Sequence, residues 1–220
     1  VTFGCAPEAD ARAVDVTLDE TGHASFTLVL PDENPTCVRL SLPGRHNVSN
    51  ALSAAAVGHV LGIGCEEIVH ALSCATGSGM RQEIVEGPAG IRVINDAYNA
   101  NPDSMRAAIA LLSEMPCTGV RIAVLGDMGE LGEDEVRLHE VVGAQVAHAG
   151  IDLLVTAGPL GHAVAAGARA AGMCGDSVIE TETREAAGAL LDNTVGAGDL
   201  VLVKASRFME FEHIVEGLVS

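Results

Sequence analysis

The chain has no tryptophan, one tyrosine (Tyr98), four phenylalanines and one lysine (Lys204) among its 220 residues. With so few rings there is little to stack on bases, and a formal charge of −18 has the wrong sign for tracking phosphates, so nucleic-acid binding is disfavoured. No apolar run approaches the roughly 20 residues that a membrane span requires. The opening Val1-Thr2-Phe3-Gly4 carries neither a basic leader nor an apolar signal core. The expectation is a cytoplasmic protein, without membrane insertion, acting as a monomer. The six cysteines (Cys5, Cys37, Cys65, Cys74, Cys117, Cys174) form no C-x-x-C pair and have no zinc-type His spacing. They read as small buried hydrophobes in a reducing compartment.

What is present is aliphatic. Hydrophobic residues make up 48% of the chain, mostly Ala, Val, Leu and Ile, a composition suited to helices packed on a sheet. The acidic residues are spread along the sequence, which fits a solvated surface rather than a tail.

Alternation predicts three strands in 13–42, with Val14, Val16 and Leu18, then Phe26, Leu28 and Leu30, then Val38, Leu40 and Leu42 on their apolar faces. Turns fall at Glu20-Thr21-Gly22-His23 and Pro31–Pro35. An Ala-rich helix from Asn47 to about Leu61 follows, then a shorter one over about Glu66–Ala75. This antiparallel meander is expected to lack a core of its own and to be the end of a larger domain, truncated at its amino terminus. Gly77-Ser78-Gly79 reads as a hinge.

Beyond the hinge, strand and helix alternate. Strands are predicted at Val85–Gly87, Ile91–Asn95, Arg121–Leu125, Asp152–Thr156, Ser177–Ile179 and Leu200–Lys204. Helices are predicted from Asn101-Pro102 and over 133–149, 160–171, 183–193 and 207–219. Asn101 is a good cap, Pro102 fits the first helical position, and Met105, Ala108, Ile109, Leu112 and Met115 form a stripe. The fold class is therefore α/β: a Rossmann-like, doubly wound domain over 81–220, preceded by small antiparallel strands plus helices over 1–80.

Four segments carry candidate chemistry. In Pro43-Gly44-Arg45-His46-Asn47-Val48-Ser49-Asn50, the amides of Asn47 and Asn50 share one face of a first helical turn and can read a purine edge; capping by Asn47 is the alternative. Asn95-Asp96-Ala97-Tyr98-Asn99-Ala100-Asn101-Pro102 leaves the carboxyl end of a strand, where ligands of open α/β sheets bind. Turn chemistry accounts for its asparagines but not for Asp96 and Tyr98. Gly126-Asp127-Met128-Gly129-Glu130-Leu131-Gly132 repeats glycine every third residue, which is not G-x-G-x-x-G, so a flexible βα loop is the plain reading. Lys204-Ala205-Ser206-Arg207 ends the last strand, where a Ser, Lys and Arg would together suit a carboxylate ligand. No G-x-x-x-x-G-K-[ST] occurs. His139, four residues after Glu135, reads as an exposed ion pair, and the other histidines outside the first motif have no partner at catalytic or metal-ligand spacing.

Taken in order, P-G-R-H-N-x-x-N at 43–50, N-D-A-Y-N-A-N-P at 95–102, L-G-D-M-G-E-L-G at 125–132 with H-x-x-V-G at 139–143, and K-A-S-R at 204–207 resemble the Mur ligase family across nearly the whole chain. Within the family they resemble the member that adds D-alanyl-D-alanine to UDP-N-acetylmuramoyl-tripeptide in peptidoglycan synthesis.

The resemblance implies a P-loop-type central domain ending near residue 80 and a complete carboxy-terminal domain after it. It implies ATP with Mg2+, and an acyl phosphate formed on the tripeptide carboxylate and attacked by the dipeptide amine. His46, Asn47, Asn50, Arg81 and Asp96 would bind ATP, with the two amides on adenine, Arg81 at the phosphates and Asp96 at the ribose. Tyr98, Asn99, Asn101, Ser206 and Arg207 would face the dipeptide. The P-loop, the magnesium-binding carboxylate and the carbamylated lysine would all lie upstream, so no metal ligand or catalytic residue is assigned here and the fragment alone is expected to be inactive. Ala205 stands where glycine is usual. Hinge motion near Gly77–Gly79 would gate turnover. Another Mur ligase or a folylpolyglutamate synthase-like ligase is the near alternative, although Tyr98 stands where several of these would carry lysine. A Rossmann-type NAD-binding oxidoreductase is the distant one.

Overall fold

The computed structural model describes all residues, Val1–Ser220, as two compact units, Val1–Gly77 and Ser78–Ser220.

In the first unit, β1 (Phe3–Gly4), β2 (Ala11–Leu18), β3 (His23–Val29) and β4 (Thr36–Pro43) form a sheet in that order. β1 pairs parallel with β2, and the other pairings are antiparallel. Helices α1 (His46–Val60) and α2 (Cys65–Cys74) follow.

Contrary to expectation, the unit has a core. Ala11, Ala13, Phe26, Leu28, Val38 and Leu40 of the sheet pack with Leu52, Ala55 and Ile68 of the two helices. The expected register of β2 is also corrected. Asp15 has φ of 55° and the pairing shifts between Val14 and Thr17, so this bulge exchanges the faces of the strand. Ala11 and Ala13 are buried, and Val14 is exposed.

Asp19 ties the β2–β3 turn. One carboxylate oxygen accepts from Thr21 N–H (2.9 Å), the Thr21 hydroxyl (2.6 Å) and His23 N–H (3.0 Å), and the other accepts from Arg39. Burial alone would raise its pKa, but the hydrogen bonds from Thr21, Arg39 and His23 prevail and hold it well below the ordinary aspartate range. A depressed folded-state pKa means that the stability it contributes is present above the unfolded value near pH 4 and is lost as pH falls below it. Thermal midpoints followed from about pH 6 to about pH 2 should therefore fall more steeply for the wild type than for Asp19→Asn; parallel curves would refute this role.

The second unit is a six-stranded sheet in the order β5-β6-β10-β7-β8-β9. β5 (Glu83–Glu86) and β6 (Arg92–Asp96) form an antiparallel hairpin. β7 (Arg121–Leu125), β8 (Leu153–Ala157), β9 (Val178–Thr181) and β10 (Leu200–Lys204) join β6 in parallel pairings. β10 is an unbroken apolar run ending in Lys204 and is buried throughout, as befits a central strand covered on both faces.

Helices α3 (Pro102–Glu114), α4 (Glu135–His148) and α5 (Gly161–Ala170) supply one core layer, and α6 (Arg184–Leu191) and α7 (Glu212–Val219) supply the other. The last helix is shorter than expected. Residues 207–209 form a separate turn, ended by Glu210 at φ of 52°. Gly143 and Gly167 let α4 and α5 touch backbone to backbone, since a Cβ at either would lie within 2 Å of the other helix's carbonyl oxygen.

The cysteines are all free, and none is buried. Cys5, Cys37, Cys74 and Cys174 are exposed, and Cys65 and Cys117 are half-buried. The four exposed ones sit in turns, at a helix end or on an outward strand position, whereas Cys65 and Cys117 pack against the cores of the first and second units. No helix is long and apolar enough to cross a membrane.

Candidate functional site

In the first unit, α1 begins at His46, one residue before the expected start, and has no side-chain cap. Asn47 therefore does not cap the helix. Its amide N–H donates to the Pro43 carbonyl (2.6 Å) and its oxygen accepts from Asn50 (2.9 Å). Together the two amides edge a cavity of about 180 Å³ walled by Leu40, Leu42, Ala51, Ala54, Leu72 and Ala75. That is the space of roughly six waters at about 30 Å³ each. The lining is apolar apart from these two amides. His46 is half-buried at the head of the same helix.

In the second unit, the helices that follow β6 and β7 go to one face of the sheet and the helix after β10 goes to the other. The carboxyl ends of β6, β10 and β7 are therefore a topological switch point, the place where such sheets open a crevice. The loops leaving these three strands carry three of the four motifs.

The register sets Lys204 opposite Asp96, and their side chains meet with Nζ 2.7 Å from Oδ2. Only 1% of the lysine side chain and 8% of the aspartate are exposed. Lys204 also donates to the Asn99 carbonyl (2.8 Å), so it pins the loop after β6 at two places. The second carboxylate oxygen of Asp96 accepts from Gln82 N–H (3.3 Å). Burial raises the Asp96 pKa and lowers that of Lys204, each against the attraction of its partner. Lys204 is thus not an open cation waiting for a carboxylate ligand. It is the structural counter-ion of Asp96.

Arg81 lies with its guanidinium 4.1 Å from the centre of the Tyr98 ring. On either side of it, Met80 (φ 59°) and Gln82 (φ 51°) adopt left-handed backbone, costly for residues with side chains. Both neighbours are tied to the β6 end, Met80 by its carbonyl to Tyr98 N–H (3.1 Å) and Gln82 by its N–H to Asp96. The side-chain oxygen of Gln82 is buried without a partner.

Asn101 caps α3 in a reciprocal box with Ser104, as its sequence position predicts. Its side-chain oxygen is therefore committed to the helix. Asn99 turns its own side-chain oxygen to Ala100 N–H (2.9 Å). Tyr98, Asn99 and Asn101 are all exposed.

Ser206 is buried. Its hydroxyl accepts from Gly129 N–H (2.8 Å) and donates to the Ala100 carbonyl (3.4 Å), linking the loops after β7 and β6. Its N–H donates to the Asp127 carbonyl (3.0 Å). Ala205 is buried against Gly126, whose missing Cβ leaves room for it. Arg207 is exposed and pairs with Glu212.

Two residues escaped the sequence reading. His139 is fully buried rather than exposed. Its Nε2 accepts from Met128 N–H (2.8 Å) while Nδ1 donates to the Glu135 carbonyl (2.7 Å), fixing the loop after β7. The signal was available in the helical spacing, because His139, Val142 and Val146 share one stripe of α4. Asp127, buried beside the Leu160 N–H (3.0 Å), has a pKa raised by burial. Nothing in the spacing of its loop announces this.

A family model described as Mur ligase, glutamate ligase domain, matches residues 80–207. A curated relative from Bacillus subtilis, named UDP-N-acetylmuramoyl-tripeptide–D-alanyl-D-alanine ligase, is 38% identical over 218 residues, which is 99% of this chain and 47% of the relative. A MurF crystal structure from Acinetobacter baumannii superposes with a TM-score of 0.86 at 31% identity, covering 99% of this chain and 46% of that one. A MurF ligase from Thermotoga maritima, solved in complex with ADP, shares the fold with a TM-score of 0.80 at 24% identity, over 98% of this chain and 47% of that one. The chain thus spans about half the length of the relatives it matches.

Proposed function

Given that this chain belongs to the Mur ligase family, we propose that it is the nucleotide- and dipeptide-handling part of an ATP-dependent ligase that joins D-alanyl-D-alanine to UDP-N-acetylmuramoyl-tripeptide. The observation that carries the reading is the 38% identity to a ligase of that name along almost all of this chain, with three of the four motifs at one switch point. The dehydrogenase alternative has no comparable support.

In this reading the slot edged by Asn47 and Asn50 takes adenine, with His46 beside it. Arg81 sets positive charge against the phosphates and Asp96 takes a ribose hydroxyl. The exposed side chains of Tyr98, Asn99 and Asn101 face the dipeptide, and the Arg207 guanidinium meets its carboxylate. Ser206 contributes by holding the loops after β6 and β7 together. Lys204 does the same for Asp96 and Asn99, so that the amine is presented from a rigid platform.

No three His, Cys, Asp or Glu side chains converge in a way that would hold a metal. We propose that magnesium is held mostly by groups in the remaining half of the ligase, as the family resemblance implies, where it would offset phosphate charge. We further propose that the protein acts in the cytoplasm as a monomer.

The test is to join this chain to the amino-terminal half of the Bacillus subtilis relative and measure ATP hydrolysis. Turnover should require both UDP-N-acetylmuramoyl-tripeptide and D-alanyl-D-alanine, and the 220-residue chain alone should be inactive. Hydrolysis by the joined protein that ignores the dipeptide would count against the reading.

A further inference from the structure

The contact between Arg81 and Tyr98 has no part in the assignments made so far, which place the two residues on different substrates. Several independent features hold Arg81 where it is. Left-handed backbone at Met80 and Gln82 brackets it. Hydrogen bonds from Tyr98 N–H to the Met80 carbonyl and from Gln82 N–H to Asp96 anchor that bracket to the end of β6. The guanidinium then lies 4.1 Å from the centre of the chain's only tyrosine ring. An exposed arginine on a loop ordinarily samples many rotamers, and ordering it on binding costs affinity. Here the backbone fixes its root and the ring face fixes its head.

We propose that Tyr98 is a positioning residue, whose ring preorganises the Arg81 guanidinium toward the phosphates of the bound nucleotide while its hydroxyl edge remains open to the dipeptide. The ring is thereby the physical link between the two substrates on this loop. The inference rests on the reading that Arg81 meets the nucleotide.

The joined enzyme described above tests it through nucleotide and dipeptide KM values measured separately. Tyr98→Ala should raise the nucleotide KM roughly two- to fivefold, the range an exposed cation–π contact supports. Tyr98→Phe, which keeps the ring face, should leave it at the wild-type value. Arg81→Ala should raise it at least as far, and adding Tyr98→Ala to Arg81→Ala should raise it no further, since the ring then has nothing to orient. An Arg81→Ala variant with raised nucleotide KM beside a Tyr98→Ala variant with an unchanged one would overturn the positioning role alone. An Arg81→Ala variant with unchanged nucleotide KM would overturn the underlying reading, and the proposal with it. In the isolated chain, the Arg81 side-chain protons should show ring-current shifts that vanish in Tyr98→Ala; random-coil positions in the wild type would also refute the stacking.

Discussion

Replacing Asp96 with alanine should destabilise the second unit by about 3–5 kcal/mol, the loss expected when one member of a buried ion pair is removed and the other stays. The lysine left behind is 1% exposed and would keep only the Asn99 carbonyl as a partner. Domains of this kind carry roughly 5–15 kcal/mol in total, so the variant would sit close to its unfolding threshold. Asp96→Asn combined with Lys204→Met removes both charges at nearly unchanged volume, keeps an acceptor for the Gln82 N–H and should recover much of the loss, because no unpaired charge stays buried. Denaturant titration of the three proteins measures this; an alanine variant within about 1 kcal/mol of wild type would dispose of it. The consequence for function is direct. Alanine at position 96 alone confuses a missing ribose contact with a failing fold, whereas the double variant lacks the carboxylate in a folded protein. If Asp96 serves the nucleotide, the double variant should be well folded and still bind nucleotide poorly.

How much of this was legible in the sequence depends on the range over which each feature is determined. β7 and β10 begin and end where alternation and apolar runs place them, and Asn101 caps α3 where its cap chemistry predicts, because these signals are local. The bulge at Asp15 is not. One residue in left-handed backbone exchanged the faces of β2, and nothing in Val14, Val16 and Leu18 foretold it. The two-residue β1 is too short for periodicity to mark.

At the site, the motifs were visible, and so was their position at strand ends. Their mutual contacts were not. Lys204 and Asp96 are 108 residues apart, and only the order β6-β10-β7, in which the last strand returns to the middle of the sheet, makes them neighbours. Ser206 likewise reads as a ligand group in isolation and proves to be a tie between loops once Gly129 and Ala100 are beside it. The left-handed residues around Arg81 left no mark at all, since neither Met80 nor Gln82 is a residue that such backbone favours.

His139 allows the same reasoning to be tested away from any proposed ligand contact. Its ring accepts from Met128 N–H and donates to the Glu135 carbonyl, so it closes the loop after β7 onto the first turn of α4. Substitution by phenylalanine fills the volume but cannot accept, leaving the Met128 N–H without this partner at a loss of about 1–3 kcal/mol. Alanine adds a cavity to the same orphaned donor, and the expected loss grows to about 2–4 kcal/mol. The loop it secures also carries Gly129, whose N–H holds the Ser206 hydroxyl, and Asp127, whose carbonyl holds the Ser206 N–H. Loosening it should therefore reach the dipeptide platform. In the joined enzyme, His139→Phe should raise the dipeptide KM while leaving the nucleotide KM near wild type, because Arg81 and Asp96 are anchored through β6 and β10 instead. Amide exchange at Met128 and Gly129 should accelerate in step. Slow exchange at both amides in the phenylalanine variant would show that the loop does not depend on the histidine.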